Sequence, residues 1–142
     1  NINISKMSIV EISEIIRPAL VGLLIQKICP INKELSVITL SPEMEQIIIN
    51  ALKEKNTTGI SLDPTFTKNM LKAIAQAYET ASSKGDNCIL LTSPIIRKDL
   101  ANLIRQNIED LHVLAFTELP ETRRINIIAT IENKLQEENI ND

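Results

Sequence analysis

The sequence predicts an α/β (α+β) fold in which helices pack on a small, mixed four-stranded sheet. Two observations carry this. Cys88-Ile-Leu-Leu-Thr-Ser-Pro-Ile-Ile-Arg97 is an apolar run that ends in a polar pair and a proline, then passes into an amphipathic helical pattern. That is a strand feeding a helix. The same device, a polar residue followed by proline, also opens helical patterns at Ser41-Pro42 and Asp63-Pro64. A serine or aspartate at such a start can accept a bond from an unpaired N–H, and proline at the first helical position gives up an N–H that had no partner. Ser41, Asp63 and Ser93 are therefore expected as structural caps.

The elements follow in order. Ser8-Ile-Val-Glu11 has the form of a capping box, and Ile9, Ile12, Ile15, Ile16, Leu20, Leu23 and Leu24 recur at helical spacing. Pro18 removes the bond to the Glu14 carbonyl, so a kink or two abutting helices is expected. Cys29-Pro30 ends the element. It is apolar on too many sides to stand alone and should pack on the rest of the chain or on preceding sequence. Leu35 to Leu40 is β-branched and weakly alternating, a strand. Pro42 to about Lys53 is a helix with Met44, Ile47, Ile48, Ala51 and Leu52 inward. Lys53 to Gly59 is a polar loop, and Ile60 to Leu62 a short extended piece. Pro64 to about Ser82 is the longest clean helix, stopped at Lys84-Gly85-Asp86 with Gly85 just past the cap.

Cys88 to Thr92 is continuously apolar, as suits a central strand covered on both faces. Pro94 to about Asn107 is a helix with Ile95, Ile96, Leu100, Leu103 and Ile104 inward. His112 to Leu119 and Ile125 to Ile131 read as strands. Their short connection at Pro120-Glu121-Thr122 suggests a hairpin rather than a crossover. The order is α-β-α-α-β-α-β-β. Residues 1–30 form a helical segment, 31–131 the α/β unit and 132–142 a polar acidic tail. The chain begins with Asn1 and reads as a piece of something longer.

Composition narrows the function. Phe66, Tyr78 and Phe116 are the whole aromatic set, so the core is aliphatic and no stacking platform for bases exists. The net charge of −3 argues against a nucleic-acid binder. Cys29 and Cys88 lack metal-like spacing and read as buried thiols. No apolar run approaches the ~18–20 residues that cross a bilayer.

The inventory for chemistry is thin. His112 is the sole histidine, too few for a triad or a zinc site, and reads as an ordinary strand-edge residue. Glu43 and Glu45 lie two apart on a helix and do not share a face; Glu43 suits the helix dipole. The Thr92/Ser93 helix start is a possible anion site with Arg97 as a clamp, but it has neither the glycines nor the lysine of a phosphate loop. Arg97 and Glu118 are read as structural polar residues; Arg97, Arg123 and Arg124 are the candidate partners of Glu118. Arg123 and Arg124 also suit an edge strand that must not pair further. No cofactor or metal is expected, and the chain is read as no enzyme.

The ordered segments resemble the C-terminal end of the large export-gate subunit of type III secretion systems, the FlhA/LcrD family. The segments are Ile16-Arg17-Pro-Ala-Leu20, Leu35-Ser-Val-Ile-Thr-Leu-Ser-Pro-Glu-Met-Glu45, Ile60-Ser-Leu-Asp-Pro64, Leu90-Leu-Thr-Ser-Pro-Ile-Ile-Arg97, His112-Val-Leu-Ala-Phe-Thr-Glu-Leu119 and Asn126-Ile-Ile-Ala-Thr130. Pro18 departs from the helix expected there. The resemblance implies the end of the third subdomain plus the fourth of a cytoplasmic module, on the cytoplasmic face of the bacterial inner membrane. The full-length homologue would form a nonameric ring that receives export substrates, chaperones and ATPase-complex components. The fragment itself would be a monomer.

The leading expectation is thus a non-enzymatic docking module of a type III, flagellar-leaning, export apparatus. Lys98, Arg105, Glu79, Arg123 and Arg124 are its candidate interaction residues, together with the acidic tail. A rival of another class is a small-ligand or phosphate-binding α/β enzyme domain using Thr92, Ser93 and Arg97; a third is a scaffold that only spaces other subdomains.

Overall fold

The computed structural model describes residues 8–30, 32–54 and 62–133, apart from the side chains of Ile9, Val10 and Ser13. The expected piece at Ile60 and Ser61, most of the polar loop before it and the tail from residue 134 lie outside these. Among the described residues the chain runs α1 (Ile9–Ile28), β1 (Leu35–Leu40), α2 (Pro42–Glu54), α3 (Pro64–Ser83), β2 (Cys88–Thr92), α4 (Pro94–Asn107), β3 (Val113–Ala115), a 3-10 turn (Phe116–Glu118) and β4 (Ile125–Ile131).

The sheet has the order β3-β2-β1-β4. Strand β2 is buried along its whole length, the central strand its unbroken apolar run demands. The α/β class, the four strands and the element order stand. The mixed sheet with a closing hairpin does not: β1 pairs in parallel with both β2 and β4, and β2 with β3. Strand β4 lies beside β1, at the edge opposite β3.

Two local facts explain the change. Strand β3 stops at Ala115, because Glu118 folds back and its carboxylate accepts the Ala115 N–H at 2.8 Å. The expected strand to Leu119 thus becomes three residues and a tight turn. Nine residues, 116–124, then lead to β4. Extended chain covers ~3.3–3.6 Å per residue, so they reach across a small sheet. The outward moves carry α2, α3 and α4 on one face, while the return packs Leu119 with α1 on the other. Reversing both direction and face preserves the crossover hand that parallel strands require.

The core has two layers. On one face Ile38, Leu90, Ile48, Ile74, Leu100 and Ile104 are fully enclosed between sheet and helices. On the other, Val21 and Ile25 of α1 and Cys29 just after it close over Leu35, Val37, Ile89 and Leu114. Burying one such aliphatic side chain is worth roughly 1.5–3 kcal/mol. Helix α1 covers only the middle of its face. Ile125 and Ile127 of β4 pair with Leu35 and Val37, so they point toward the α1 side, yet Ile127 is 55% exposed.

Local signals account for the helix ends. Ser8 accepts the Glu11 N–H at 3.1 Å, and α1 runs unbroken through Pro18, neither split nor abutted. Ser41 and Asp63 accept the Met44 and Phe66 N–H groups at 3.2 and 2.9 Å. Helix α3 closes with Asp86 and Gly85 donating to Ala81 and Ser82, each at 3.0 Å, and Gly85 takes φ +80°, where a Cβ is strained.

Candidate functional site: a charged cluster and groove between α1 and α4

The charged side chains converge where α1 crosses the end of the sheet. Arg17 comes from α1, Arg97 from the first turn of α4 and Glu118 from the 3-10 turn after β3. The Arg17 guanidinium grips Glu118 with two nitrogens, its Nη2 donating to Oε1 at 3.1 Å. Arg97 Nε lies 3.8 Å from the same Oε1, and Arg97 Nη2 donates to Glu14 Oε1 at 3.2 Å. The chain of charges is Arg17–Glu118–Arg97–Glu14.

Arg17 does a second thing. Its Nη2 donates to the Val113 carbonyl at 3.3 Å. Leu90 N–H bonds to the His112 carbonyl, so the alternation of a strand turns the Val113 carbonyl to the free edge of β3. Arg17 therefore covers an open sheet edge, one of the ways proteins stop edges from pairing.

The electrostatics of Glu118 follow. Burial, the largest single influence, opposes its charge. The hydrogen bonds from Arg17 and the Ala115 N–H, with the charges of Arg17 and Arg97, together outweigh it and hold the carboxyl below its ordinary range. Burial, aided by Asp86, pushes the Cys88 thiol up to about 11. Cys88 and Cys29 are both buried free thiols.

Beside the cluster lies an open groove of ≈ 420 Å³, lined by Arg17, Leu20, Leu24, Arg97, Arg105 and His112 among others. Arg97, Arg105 and His112 thus line one groove. A second groove of ≈ 410 Å³ runs between α3 and β4, floored by Ala77, Ala81 and Ile128. Lys98 and Glu79 are exposed on α4 and α3, and Arg124 is exposed before β4. Arg123 turns inward instead. Its Nη1 donates to the carbonyls of Pro30 at 2.8 Å and Lys33 at 3.3 Å, and its Nη2 to that of Cys29 at 3.4 Å. Neither it nor Arg124 is the partner of Glu118.

The helix start weighed for an anion holds an internal one. Glu45 Oε1 accepts the Ser93 N–H at 3.1 Å. Ser93 sits at the N-cap of α4, but its hydroxyl makes no capping bond and is buried without a partner, a correction to its expected role. Among the described residues no group of three or more His, Cys, Asp or Glu side chains could hold a metal ion.

Sequence reasoning missed Arg17, Glu14 and Glu45. Arg17 had a readable signal: an arginine between Ile16 and Leu20 of an aliphatic stretch needs a carboxylate, because a half-buried charge is costly alone.

These features define a small parallel α/β domain whose charged groups near the sheet end are paired with one another. Residues 2–124 match the FHIPEP family, and the chain belongs to it. The flagellar biosynthesis protein FlhA of Buchnera aphidicola is 31% identical over 123 residues, 84% of this chain and 17% of the relative. The invasion protein InvA of Salmonella typhimurium is 29% identical over 99 residues, 69% of this chain and 14% of that protein. The chain thus spans about a sixth of the length of the curated relatives it matches. Among solved structures, the Chlamydia pneumoniae CdsV and CdsO protein complex gives a TM-score of 0.69 at 25% identity, over 87% of this chain and 36% of that one. Nonameric EPEC SctV-C gives 0.71 at 17% identity, over 89% and 38%, a likeness of fold. No helix among the described residues is long and apolar enough to cross a membrane.

Proposed function

We propose that the chain is a non-enzymatic docking module of a type III protein export apparatus, on the flagellar side, helping to receive export substrates, chaperones or ATPase-complex components. The observation that carries this reading is the FHIPEP match over residues 2–124. The likeness to a structure of CdsV with CdsO supports a docking role, since there a relative is seen with a second protein. The flagellar leaning draws on the FlhA relative.

On this reading residues 1–30 end a preceding subdomain, 31–131 form the C-terminal subdomain and 132–142 the tail. The full-length protein forms a nine-fold ring at the cytoplasmic face of the inner membrane, while the fragment is a monomer. Lys98, Arg105, Glu79 and Arg124 offer exposed charge to partners. Arg123 is occupied by backbone carbonyls, which leaves it the weakest of the interaction candidates. The phosphate-binding rival has little room: Glu45 occupies the α4 start and two carboxylates hold Arg97.

Immobilised chain incubated separately with the ATPase-complex stalk protein, a chaperone–substrate complex and a free late substrate of its own export system tests the reading. Retention of at least one is expected. Retention of none, by a chain whose circular dichroism shows it folded, leaves the spacer reading in its place.

A further inference from the structure

We propose that the first half of α1 is a strap, latched onto the sheet end by the Arg17–Glu118 and Arg97–Glu14 ion pairs and hinged at Pro18. The inference goes beyond the docking reading and does not depend on it.

The two halves of α1 are held differently. From Val21 onward the helix is fixed by apolar burial, with Val21, Ile25 and then Cys29 in the core. Upstream of Val21 none of the described side chains is buried, and Ile15, Ile16 and Leu20 are exposed. Among the described side chains, the hydrogen bonds that tie that half to the body come from charged groups: Arg17 to Glu118 and to the Val113 carbonyl, and Arg97 to Glu14. Salt does not weaken apolar burial by screening, whereas the Glu14–Arg97 pair, with Glu14 51% exposed, is screened, and the Arg17–Glu118 pair, at 25% and 19%, is screened less.

The junction is weak where a hinge needs it. Pro18 sits inside α1, between the ionic and the apolar halves. It has no N–H to give the Glu14 carbonyl, so a rung of the helix ladder is missing beside Arg17. Missing rungs are where helices bend.

Opening leaves no buried charge stranded. With Arg17 withdrawn, Glu118 keeps the Ala115 N–H at 2.8 Å and Arg97 at 3.8 Å. Arg97 loses Glu14 but stays beside Glu118. A large penalty for breaking an ion pair arises when one member is left buried and alone; here neither is. Arg97 and Glu118 thus stay together in both arrangements, while Arg17 and Glu14, already the more exposed member of each pair, pass to water. The open one frees the Val113 carbonyl on the β3 edge.

Hydrogen exchange of individual amides in the 142-residue chain tests this. In Arg17→Gln, exchange of the Ile12 to Arg17 amides is expected to rise about fivefold or more, with Leu23 to Ile28 changing little. Glu14→Gln, at an exposed position that does not threaten folding, should act in the same direction, as should added salt. Pro18→Ala, which restores the missing rung, should slow exchange in the first half. Unchanged exchange in both charge variants, an equal rise in both halves of α1, or no slowing in Pro18→Ala would overturn the latch.

Discussion

Arg17 and Glu118 stand 101 positions apart in the chain and meet side chain to side chain, joining the first helix to the turn that ends β3. One carboxylate thereby shapes three elements. It stops β3 at Ala115, anchors α1 and, through Arg97, touches the start of α4.

This pairing makes stability depend on acid. Glu118 is held below its ordinary pKa in the folded chain, so the unfolded chain binds the proton more readily. The contribution is fully present above the ordinary glutamate value of ~4.3 and is lost as pH falls from there through the depressed folded value. Urea midpoints measured across that window should fall with acid in the native sequence and fall less in Glu118→Gln. Parallel pH profiles for the two proteins would remove this role of Glu118.

Cys88 gives the opposite sign at the alkaline end. Its thiol is raised to about 11, so its contribution is present below the ordinary thiol value and lost as pH rises through the folded one. Cys88→Val should flatten the loss of stability on the alkaline side. At pH 8 the native Cys88 should resist alkylation and react only on unfolding, which mass spectrometry reads directly.

Leu100 has no exposed surface and packs among the sheet and the helices on the three-helix face. Leu100→Ala should cost about 2–5 kcal/mol in denaturant unfolding, with the spread set by how far the site can collapse. A loss near the surface-substitution range would mean that the layer is not packed as described.

Gly85 tests the backbone alone. A Cβ there meets no atom within 4 Å, so only its φ of +80° opposes a side chain. Gly85→Ala should cost about 1–2 kcal/mol and Gly85→Asn less. Equal stability of the alanine variant would show that α3 ends in another conformation.

Much of this fold is legible in the sequence, because its signals are local. Ser8, Ser41 and Asp63 announce helix starts through their own side chains, and the apolar run at Cys88–Thr92 announces a central strand. The direction of β4 is not local. Nothing in Ile125 to Ile131 says whether it pairs with β3 or β1; that depends on Glu118 shortening β3 and so freeing nine residues for a return. The cluster was half legible. Arg97 and Glu118 were recognisable as structural polar residues, with Arg97 one of three possible partners of Glu118, yet the stronger partner, Arg17, lies across the whole chain and no spacing rule reaches it. Ser93 looked like an ordinary cap, but its hydroxyl makes no capping bond, and Glu45, from a different helix, takes its N–H.

The docking account is tested most directly by titrating the chain, followed calorimetrically, with the ATPase-complex stalk protein of its own export system. It predicts a saturable isotherm, weakened about tenfold by Lys98→Glu with Arg105→Glu while the fold is kept. Flat isotherms with the stalk protein, a chaperone–substrate complex and a free late substrate alike, or binding indifferent to both charge reversals, would contradict it.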